Sequence, residues 1–479
     1  MSKPVLPFSL PYDVAAFRDG GGSWESPELR VVIETLEHFG VKLGLQRIDH
    51  ALEILGDAVA PVPAIVVGGT NGKGSSTAYL QSMLTAHGLR TGRSTSPHLT
   101  HLRERIAVDD QLIDDQSLLR HFERLLGLRE HPDLSELTFF EAITVLARLY
   151  FVEQACDAAV YEVGLGGRLD ATQRCTDRVC LVTNIGLDHV KTLGPTKRHI
   201  AIEKASIVPA GGLLIVNERD PDLQETMCGV AKERDAQVLC VGSDFDGGLR
   251  EDGIWFRMRA RGFPPLELSG LQPKMRGQHQ TDNVVGAIAA LVAFSVEGGS
   301  RVRSQAMALS PQAIASAVSA TTVAGRYEFF DAPVPIIVDG AHNAEGAQAL
   351  VHTVQRDERL PDRCYGILAA SHGKEFGAIT TLLSEAIHIP VITSALHHRS
   401  MDAKTISDTW QIPGARYIDD PFDALELVQN WAQEHGDGII IAGSLYLIGA
   451  LRPLLVRQVL TTSSPDQRVR QRHPGRPQP

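Results

Sequence analysis

Apolar runs bounded by turn residues alternate along the chain with helix-length amphipathic stretches. The first clear run is Pro63–Gly69, and it leads into Lys73–His87, where apolar side chains recur at helical spacing and Gly88 can end the helix. Runs of the same kind predict strands at 158–163, 179–183, 213–216 and 238–241. Because strands and helices alternate in this way mainly in parallel β/α proteins, the pattern predicts an α/β fold.

A change of pattern divides the chain. Residues 246–268 are rich in Gly and Pro with alternating apolar positions, which predicts a small antiparallel excursion. After a helix predicted at 281–296 and a stretch rich in Ala, Ser and Thr, a second alternating series has predicted strands at 336–338, 365–368, 391–393 and 439–442. The predicted organisation is an N-terminal extension (1–25), a large α/β domain (26–323), a smaller α/β domain (324–458) and a disordered tail (459–479).

Composition and charge restrict the class of protein. The 479 residues are 43% hydrophobic and 22% charged, as expected for a folded globular protein. The formal net charge of −11 disfavours binding to nucleic acid or to an anionic membrane surface. The six cysteines are scattered without a CxxC pair, which favours reduced thiols. Since no signal peptide and no membrane-spanning run is evident, a cytoplasmic location is expected.

The glycine-rich segment Gly68–Ser76 lies between a predicted buried strand and a predicted helix. In that setting glycines allow backbone N–H groups to surround a phosphate, the helix N-terminus adds a favourable dipole and Lys73 adds a positive charge. The segment departs from the GxxxxGK[ST] pattern, since Val67 takes the first glycine position and Gly74 separates Lys73 from Ser75. A glycine-rich turn without a ligand is the alternative, but Lys and Ser together in this setting favour nucleotide binding.

Three polar residues are further candidates for the same site. Glu162 ends a predicted strand, and parallel topology places that end at the carboxyl edge of the sheet, beside the phosphate loop. A carboxylate there is suited to bind Mg²⁺. Taken alone, each residue is better explained without a function: Glu162 as a strand-end charge in solvent, His189 as a hydrogen-bonded loop histidine and Lys204 as a solvated lysine. Their occurrence together with the phosphate loop favours the functional interpretation.

Short motifs follow one another in a recognisable order. They lie at Asn71–Ser75, Thr95–Leu99, Arg103–Ile106, Thr138–Glu141, Glu162–Thr172, Gly186–His189, Glu203–Ala205, His279–Asn283, Gly325–Glu328, Asp339–Asn343 and Gly443–Tyr446. This series resembles the folylpolyglutamate synthase and dihydrofolate synthase family, within the Mur ligase superfamily of ATP-dependent amide-forming ligases. The resemblance extends from about Glu37 to Leu455.

The resemblance implies a fold and a set of nucleotide contacts. The implied fold is a P-loop, Mur-ligase-like central domain with a mainly parallel sheet, followed by a smaller Rossmann-like C-terminal domain, with ATP bound between the two. The implied ATP contacts are Asn71, Gly72, Lys73, Gly74, Ser75, Asn283, Arg326, Asp339 and His342.

The resemblance also implies two Mg²⁺ ions, with K⁺ as a further candidate cofactor. The implied catalytic residues are Lys73, Glu162, His189 and Lys204, and the implied metal ligands are Ser75, Ser96, Glu162, His189 and Lys204. In this interpretation Glu162 and Ser96 hold the first ion and His189 holds the second. Lys204 is then carbamylated, so that a cation becomes a carboxylate that helps to position the second ion.

Substrate contacts are implied in three segments. The residues are Leu45, Gln46, Arg47, Thr138, Phe139, Phe140, Glu141, Leu169, Asp170 and Ala171. Core packing is the alternative for Phe139 and Phe140, although an aromatic ring can both pack and stack on a flat substrate. The polar loop His397–Ser400 follows a predicted strand, and the incoming glutamate is expected there.

The expected function is therefore an ATP-dependent ligase. It joins L-glutamate to dihydropteroate or to a reduced folate through an acyl phosphate, acts on small molecules only and is expected to be a monomer. Whether it adds the first glutamate, extends a glutamate chain or does both is left open. Two other functions also stay open: a Mur-type ligase for another specialised carboxylate, and a paralogue that binds ATP without ligating.

Overall fold

The computed structural model describes residues 14–19, 24–37, 42–129, 131, 137–175, 179–298, 307–331, 333–372, 374–397 and 400–462. Within them the chain forms two compact units. The larger unit comprises residues 25–323, and the smaller one comprises residues 324–462 together with helix α1 (Val14–Asp19) and Trp24. None of the helices in the described part of the chain combines the length and apolarity that crossing a bilayer requires.

An eight-stranded sheet forms the centre of the larger unit, in the order β4-β3-β2-β5-β1-β6-β7-β8. Its strands are β1 (Ala64–Gly68), β2 (Thr91–Ser94), β3 (Ile106–Val108), β4 (Gln111–Leu112), β5 (Ala158–Glu162), β6 (Val179–Val182), β7 (Leu213–Val216) and β8 (Gln237–Cys240). The pairs β2–β3 and β3–β4 are antiparallel and the others are parallel. Strands β1, β5, β6 and β7 are buried throughout, because helices cover both faces.

Helices and a small second sheet cover the large one. The helices are α2 (Pro27–Glu37), α3 (Gln46–Leu55), α4 (Lys73–Ala86), α5 (Asp115–Arg129), α6 (Phe139–Glu153), α7 (Val190–Leu193), α8 (Lys197–Ala205), α9 (Pro221–Lys232), α10 (His279–Glu297) and α11 (Pro311–Ala320). One face packs against α4, α10, α11 and an antiparallel sheet of β9 (Phe245–Arg250), β10 (Gly253–Met258) and β11 (Glu267–Leu271). This sheet lies where the alternation of residues 246–268 predicts an antiparallel excursion.

The smaller unit has a six-stranded sheet in the order β12-β13-β17-β14-β15-β16. The strands are β12 (Glu328–Asp331), β13 (Pro335–Val338), β14 (Cys364–Leu368), β15 (Ile389–Ile392), β16 (Arg416–Tyr417) and β17 (Gly438–Ala442). Only β12 is antiparallel to its neighbour among these described strands. The helices are α12 (Ala344–Val354), α13 (Phe376–Leu383), α14 (Ala403–Thr409), α15 (Pro421–His435) and α16 (Leu445–Thr462).

The N-terminal segment is attached to this smaller unit by aromatic contacts. The ring of Phe17 lies 4.4 Å from that of Trp24 and 5.4 Å from that of Phe422 at the start of α15. Trp24 Nε1 also donates to the carbonyl oxygen of Gly449 in α16, over 3.0 Å. At the other end of the chain, α16 runs to Thr462, and the rest of the predicted tail lies outside the described residues.

Candidate active site

The phosphate loop connects β1 to α4 and is held by the two residues that follow β6. Thr183 Oγ1 donates to the Asn71 carbonyl over 2.6 Å, and the Asn71 N–H donates to Asn184 Oδ1 over 2.9 Å. Gly69 has a φ of 143°, and a Cβ there would collide with Thr183 Oγ1. The loop backbone therefore lies directly against the end of β6, at the carboxyl edge of the sheet.

Asn283, a predicted ATP contact, lies on α10 against the same loop. A Cβ at Gly72, where φ is 81°, would collide with Asn283 Oδ1. The amide group of Asn283 is oriented by Gln280, whose Oε1 accepts from Asn283 Nδ2 over 3.1 Å. The structure thus brings Asn283 to the phosphate loop, although the two are far apart in sequence.

Two lysines converge on a single carbonyl of the loop. Lys73 Nζ donates to the carbonyl oxygens of Gly69 and Thr70, over 3.0 and 2.9 Å. Lys204 Nζ, from α8, donates to the same Gly69 oxygen over 2.7 Å. Two ammonium groups so close repel each other, and an anion bound beside them would relieve that repulsion.

The environment of Lys204 favours its neutral form. The residue is only 5% exposed. Burial, together with the charge of Lys73, lowers the pKa of Lys204 to about 7, while Asp188 and Asp170 partly oppose this shift. A substantial share of Lys204 is therefore an uncharged amine near neutral pH.

Glu162 and Ser96 meet beside the first turn of α4. Glu162, the last residue of β5, is buried, and its Oε2 accepts the backbone N–H of Ser96 over 2.9 Å. Its carboxylate oxygens lie 3.5 and 3.7 Å from the position that a Cβ on Gly74 would take. Helix α4 has no side-chain cap at its N-terminus, which leaves its first N–H groups available to a phosphate.

The residues present fit a bound nucleotide and a magnesium ion. Glu162, Ser75 and Ser96 supply the carboxylate and hydroxyl oxygens that Mg²⁺ prefers. Among the described residues, no three His, Cys, Asp or Glu side chains cluster closely enough to hold a metal ion by themselves. Such a sparse donor set suits an ion that keeps several waters and shares its coordination with substrate phosphates.

The loop that carries Ser96 is held by Glu104, a residue that the sequence analysis did not select. The Glu104 carboxylate accepts the backbone N–H groups of Leu99, Thr100 and His101, over 2.7, 3.1 and 3.1 Å. A carboxylate that gathers three successive N–H groups fixes the loop backbone. Glu104 lies within the motif Arg103–Ile106, so its position belongs to a recognised motif, but the motif did not indicate that Glu104 holds the loop.

His189, predicted as a metal ligand, is the most exposed member of the group. Its side chain is 52% exposed, and its Nε2 lies 3.9 Å from Asp188 Oδ2. It precedes α7 with a left-handed backbone, φ 50° and ψ 36°. Asp188 is the less exposed of the two, and its charge acts on Lys204. Its carboxylate is therefore a further candidate residue of this site, which the motif alone did not reveal.

Two of the predicted substrate segments meet through an ion pair. Arg47, next to Leu45 and Gln46 at the N-terminus of α3, donates from Nε to Glu141 Oε2 over 3.0 Å. Glu141 Oε2 also accepts the backbone N–H and the hydroxyl of Thr138, over 2.9 and 2.7 Å, in a capping box at the start of α6. The Glu141 carboxylate is thus engaged in joining α3 to α6.

Phe139 and Phe140 stand at the beginning of α6 and are both half-buried against the core. The guanidinium of Arg105 lies over the Phe139 ring, 4.9 Å from its centroid, and Arg105 Nε donates to His98 Nδ1 over 2.9 Å. The Phe140 ring packs directly over Gly164. Both rings therefore pack, and their partners belong to the loops that carry Ser96 and follow Glu162.

The third predicted substrate segment is built around Asp170, between half-buried Leu169 and buried Ala171. Asp170 accepts the Leu165 N–H over 2.9 Å and the N–H and hydroxyl of Thr172 over 3.0 and 2.6 Å. Burial raises the pKa of Asp170, and these hydrogen bonds oppose the rise. The side chain consequently shapes the loop that follows Glu162.

Three predicted nucleotide contacts gather within the smaller unit, after β13. The Arg326 guanidinium packs over the backbone of Gly340, and His342 Nδ1 lies 2.8 Å from the Gly340 carbonyl oxygen. Each carboxylate oxygen of Asp339 accepts a backbone N–H of a neighbouring loop residue, over 2.8 Å. Arg326, Asp339 and His342 thus form one cluster. They come from two separate motifs, whose spacing in the sequence does not show that they meet.

The predicted glutamate loop contains an aromatic stack. His397 and Tyr446, the second residue of α16, have ring centroids 3.8 Å apart and planes 13° apart. Next to this stack in sequence, the buried hydroxyl of Ser444 has no hydrogen-bond partner among the described residues. His398 and Arg399 of the same predicted loop lie outside the described residues.

Comparison with known proteins identifies the family of the chain. Residues 67–291 match the family model of the Mur ligase middle domain, and residues 325–445 match that of the Mur ligase glutamate ligase domain. A dihydrofolate synthase/folylpolyglutamate synthase of Mycobacterium tuberculosis is 30% identical over 454 residues, which cover 86% of this chain and 90% of the relative.

Solved structures extend the likeness to the fold. Escherichia coli FolC in complex with DHPP and ADP has a TM-score of 0.76 and 25% identity, covering 90% of this chain and 98% of the other. A bifunctional folylpolyglutamate synthase/dihydrofolate synthase with Mn, AMPPNP and L-glutamate bound has a TM-score of 0.75 and 27% identity, covering 90% and 99%. The α/β class and the Mur-ligase-like fold predicted from the sequence are thereby confirmed. The chain belongs to the dihydrofolate synthase/folylpolyglutamate synthase family of Mur ligases.

Proposed function

We propose that this protein is an ATP-dependent ligase that joins L-glutamate to dihydropteroate, to reduced folates or to both. The observation that carries the proposal is the convergence of Lys73 and Lys204 on Gly69 O, beside Glu162 and the uncapped start of α4. The charge of Lys73 and the N–H groups at the start of α4 suit the phosphates of a nucleoside triphosphate. Membership in a family whose solved members hold ADP or AMPPNP supports the same substrate.

The reaction proceeds in two steps. The carboxylate of the acceptor attacks the γ-phosphorus of ATP, giving an acyl phosphate and ADP. The glutamate amine then attacks the acyl carbon, loses a proton and displaces inorganic phosphate, which leaves an amide. Lys73 holds the phosphates by its charge, and the N–H groups at the start of α4 neutralise oxygens on which negative charge accumulates.

This proposal includes two Mg²⁺ sites. Ser75, Ser96 and Glu162 hold one Mg²⁺, and His189 with Lys204 holds a second. A bound Mg²⁺ supplies charge neutralisation for phosphoryl transfer. The buried Glu162 carboxylate, oriented by the Ser96 N–H, supports the first assignment. K⁺ is a further candidate cofactor. Comparing turnover in potassium and sodium buffers tests it.

Lys204 is carbamylated in this proposal. Only the neutral amine adds CO₂, and the lowered pKa of Lys204, about 7, supplies that form. The amine forms a bond to the carbon of CO₂ and releases one proton, which leaves a carbamate. Intact mass of the protein kept in bicarbonate should show one added CO₂ that the Lys204→Met variant lacks. An unmodified mass for the native protein would contradict the carbamate.

The acceptor lies, in this proposal, along α3, the start of α6 and the Asp170 loop. Leu45, Gln46 and Arg47 contribute from α3, Thr138, Phe139, Phe140 and Glu141 from α6, and Leu169, Asp170 and Ala171 from the loop. The half-buried aromatic rings offer a surface on which a flat heterocycle can stack. The Arg47–Glu141 ion pair supports the grouping, because it ties two of these segments together.

Within the smaller unit, glutamate binds in this proposal beside the His397–Tyr446 stack. The unpartnered Ser444 hydroxyl at the start of α16 supports this position, since a carboxylate is favoured at a helix N-terminus. Arg326, Asp339 and His342, which belong to the smaller unit, are the further nucleotide contacts of this proposal. The enzyme is proposed to act as a cytoplasmic monomer, which cell fractionation and gel filtration test.

One assay tests the function. Purified protein is incubated with ATP, Mg²⁺, glutamate and either dihydropteroate or tetrahydrofolate, and phosphate release and product mass are followed. The two acceptors separate addition of the first glutamate from chain extension. Lys73→Met should lower phosphate release about 100-fold or more, whereas the exposed Lys232→Met serves as the matched control. Absence of phosphate release with both acceptors would refute the proposal.

A further inference from the structure

Two cysteines outside the candidate site are in contact. All six cysteines lie within the described residues. Cys228 on α9 and Cys240 at the end of β8 have their Sγ atoms 3.6 Å apart. Both are free thiols. Nothing in the proposed ligase chemistry uses this pair, so its proximity calls for a separate explanation.

The backbone on both sides of the pair is fixed by hydrogen bonds. Gln224, one helical turn before Cys228, donates from Nε2 to the carbonyl oxygens of Glu218 and Val241, over 2.7 and 3.0 Å. The N–H of Cys240 donates to Asp244 Oδ2 over 2.9 Å. Helix α9 is thereby anchored to the end of β8, and the two thiols are held together by ordered elements.

The two sulfurs differ in access. Cys228 is half-buried and Cys240 is buried at the edge strand of the sheet, whereas the other four cysteines are all buried. Burial first, and then the neighbouring Cys228 and Asp244, raise the pKa of Cys240 to about 12. Cys228 is therefore the thiol that an oxidant reaches and that reacts first.

We propose that Cys228 and Cys240 form a reversible intrachain disulfide when the protein meets a disulfide oxidant such as oxidised glutathione. The Cys228 thiolate attacks one sulfur of the oxidant and displaces one glutathione thiolate, which takes a proton. Cys240 then attacks Cys228 Sγ and displaces the second glutathione. The protein thiols lose two electrons and two protons, and one oxidised glutathione becomes two reduced molecules.

The geometry allows this bond with small movements. The sulfurs must approach from 3.6 Å to a bonded distance of about 2.0 Å, which rotation about the side-chain bonds can provide. The product would link α9 covalently to the edge strand β8. Thiol–disulfide exchange with excess dithiothreitol would reverse it.

Intact mass and peptide mapping test the inference on the full-length protein after incubation with oxidised glutathione. We expect the native protein to lose the mass of two hydrogen atoms, with Cys228 and Cys240 in one linked peptide, and dithiothreitol to restore it. The Cys240→Ser variant should stop at a single glutathione adduct on Cys228. The Cys228→Ser variant should react neither way, because its remaining thiols are buried.

Two results would overturn the inference. One is a native protein that keeps all its thiols reduced at oxidant concentrations that modify Cys228 in the Cys240→Ser variant. The other is a native protein that ends as a stable glutathione adduct without an internal bond. Circular dichroism of both serine variants establishes that they are folded before the comparison.

Discussion

At the residue scale, burial of Lys204 changes the charge of its side chain. Its pKa in the folded protein is about 7, whereas an ordinary lysine has a pKa of 10.5. The unfolded chain therefore binds more protons than the folded chain between these two values. Protonated Lys204 destabilises the folded state fully below about pH 7, and this effect fades as pH rises toward 10.5.

Replacing the lysine should remove that penalty. In CO₂-free buffer, Lys204→Met should have a higher free energy of unfolding than the native protein at about pH 6, and the difference should shrink as pH rises toward 10. Urea unfolding at several pH values measures it. The exposed Lys232→Met is the control and should give a difference that does not change with pH. A pH-independent gain in Lys204→Met would mean that lost charge is not its cause.

Two glycines with nearly equal φ angles separate the effect of backbone strain from that of crowding. Gly72 and Gly88 have φ of 81° and 82°, but a Cβ at Gly72 would meet Asn283, whereas one at Gly88 would meet nothing within 4 Å. Gly72→Ala should weaken ATP binding about tenfold or more, while Gly88→Ala should cost about 1–2 kcal/mol of stability and leave ATP binding unchanged. Calorimetric titration and urea unfolding measure both. Equal ATP affinities in the two variants would contradict a crowded loop.

The sequence alone does not predict the tertiary contacts of the candidate site residues. The motif containing Thr138 and Glu141 is predicted to contact the substrate. Its spacing is also that of a capping box, and the structure has the Glu141 carboxylate in a cap and an ion pair. Lys204 looks like a solvated helical lysine until its tertiary contact with Gly69 is known. Such partners lie far away in the chain, and local pattern carries no information about them.

At the scale of secondary-structure elements, Glu104 fixes part of the loop between β2 and β3. Glu104 accepts three backbone N–H groups in this loop, which also carries Ser96. Glu104→Gln keeps the shape but removes the charge and presents an N–H to those donors. We expect a higher Mg²⁺ requirement and a lower kcat with little change in the KM for the pterin acceptor, because the loop would hold Ser96 less firmly.

Turnover measured against Mg²⁺ concentration tests this expectation. The exposed Glu123→Gln on α5 is the matched control and should behave like the native enzyme. If Glu104→Gln lowers the free energy of unfolding but leaves the Mg²⁺ dependence unchanged, Glu104 is merely structural. If Glu104→Asp restores the native Mg²⁺ dependence, the charge rather than the side-chain length matters.

Elements with a strong apolar run were predictable, and short or polar ones were not. The runs that became β1, β5, β6 and β7 are buried on both faces and therefore read as continuous apolar segments. Strand β2 is central but consists of Thr91–Ser94, and its Gly92 lies beneath the Phe151 ring, so tertiary packing decides its conformation. Strands β4 and β16 have two residues each at sheet edges, too short to leave a pattern.

For the whole molecule, the net charge of −11 has the same sign as the charge of the proposed substrates, which are all anionic. Lys73 and the start of α4 concentrate positive field at one loop, so the average charge does not describe the site. ATP bound there should stabilise the folded protein by about 2.7 kcal/mol at 100 times its Kd, which corresponds to a Tm rise of a few degrees. Thermal unfolding with and without ATP measures it. Lys73→Met should abolish most of the rise, and a full rise in that variant would remove Lys73 from the site.

The close contacts of the phosphate loop also bear on how the family can vary. Gly69 lies against Thr183 and Gly72 against Asn283, so the space that a larger loop residue needs is occupied by side chains from α10 and from the residue after β6. A larger loop residue clashes unless the facing residue has first become smaller, and a smaller facing residue alone leaves a gap. Thr183 and Asn283 are therefore expected to be constrained together with the two glycines, although neither belongs to the loop motif.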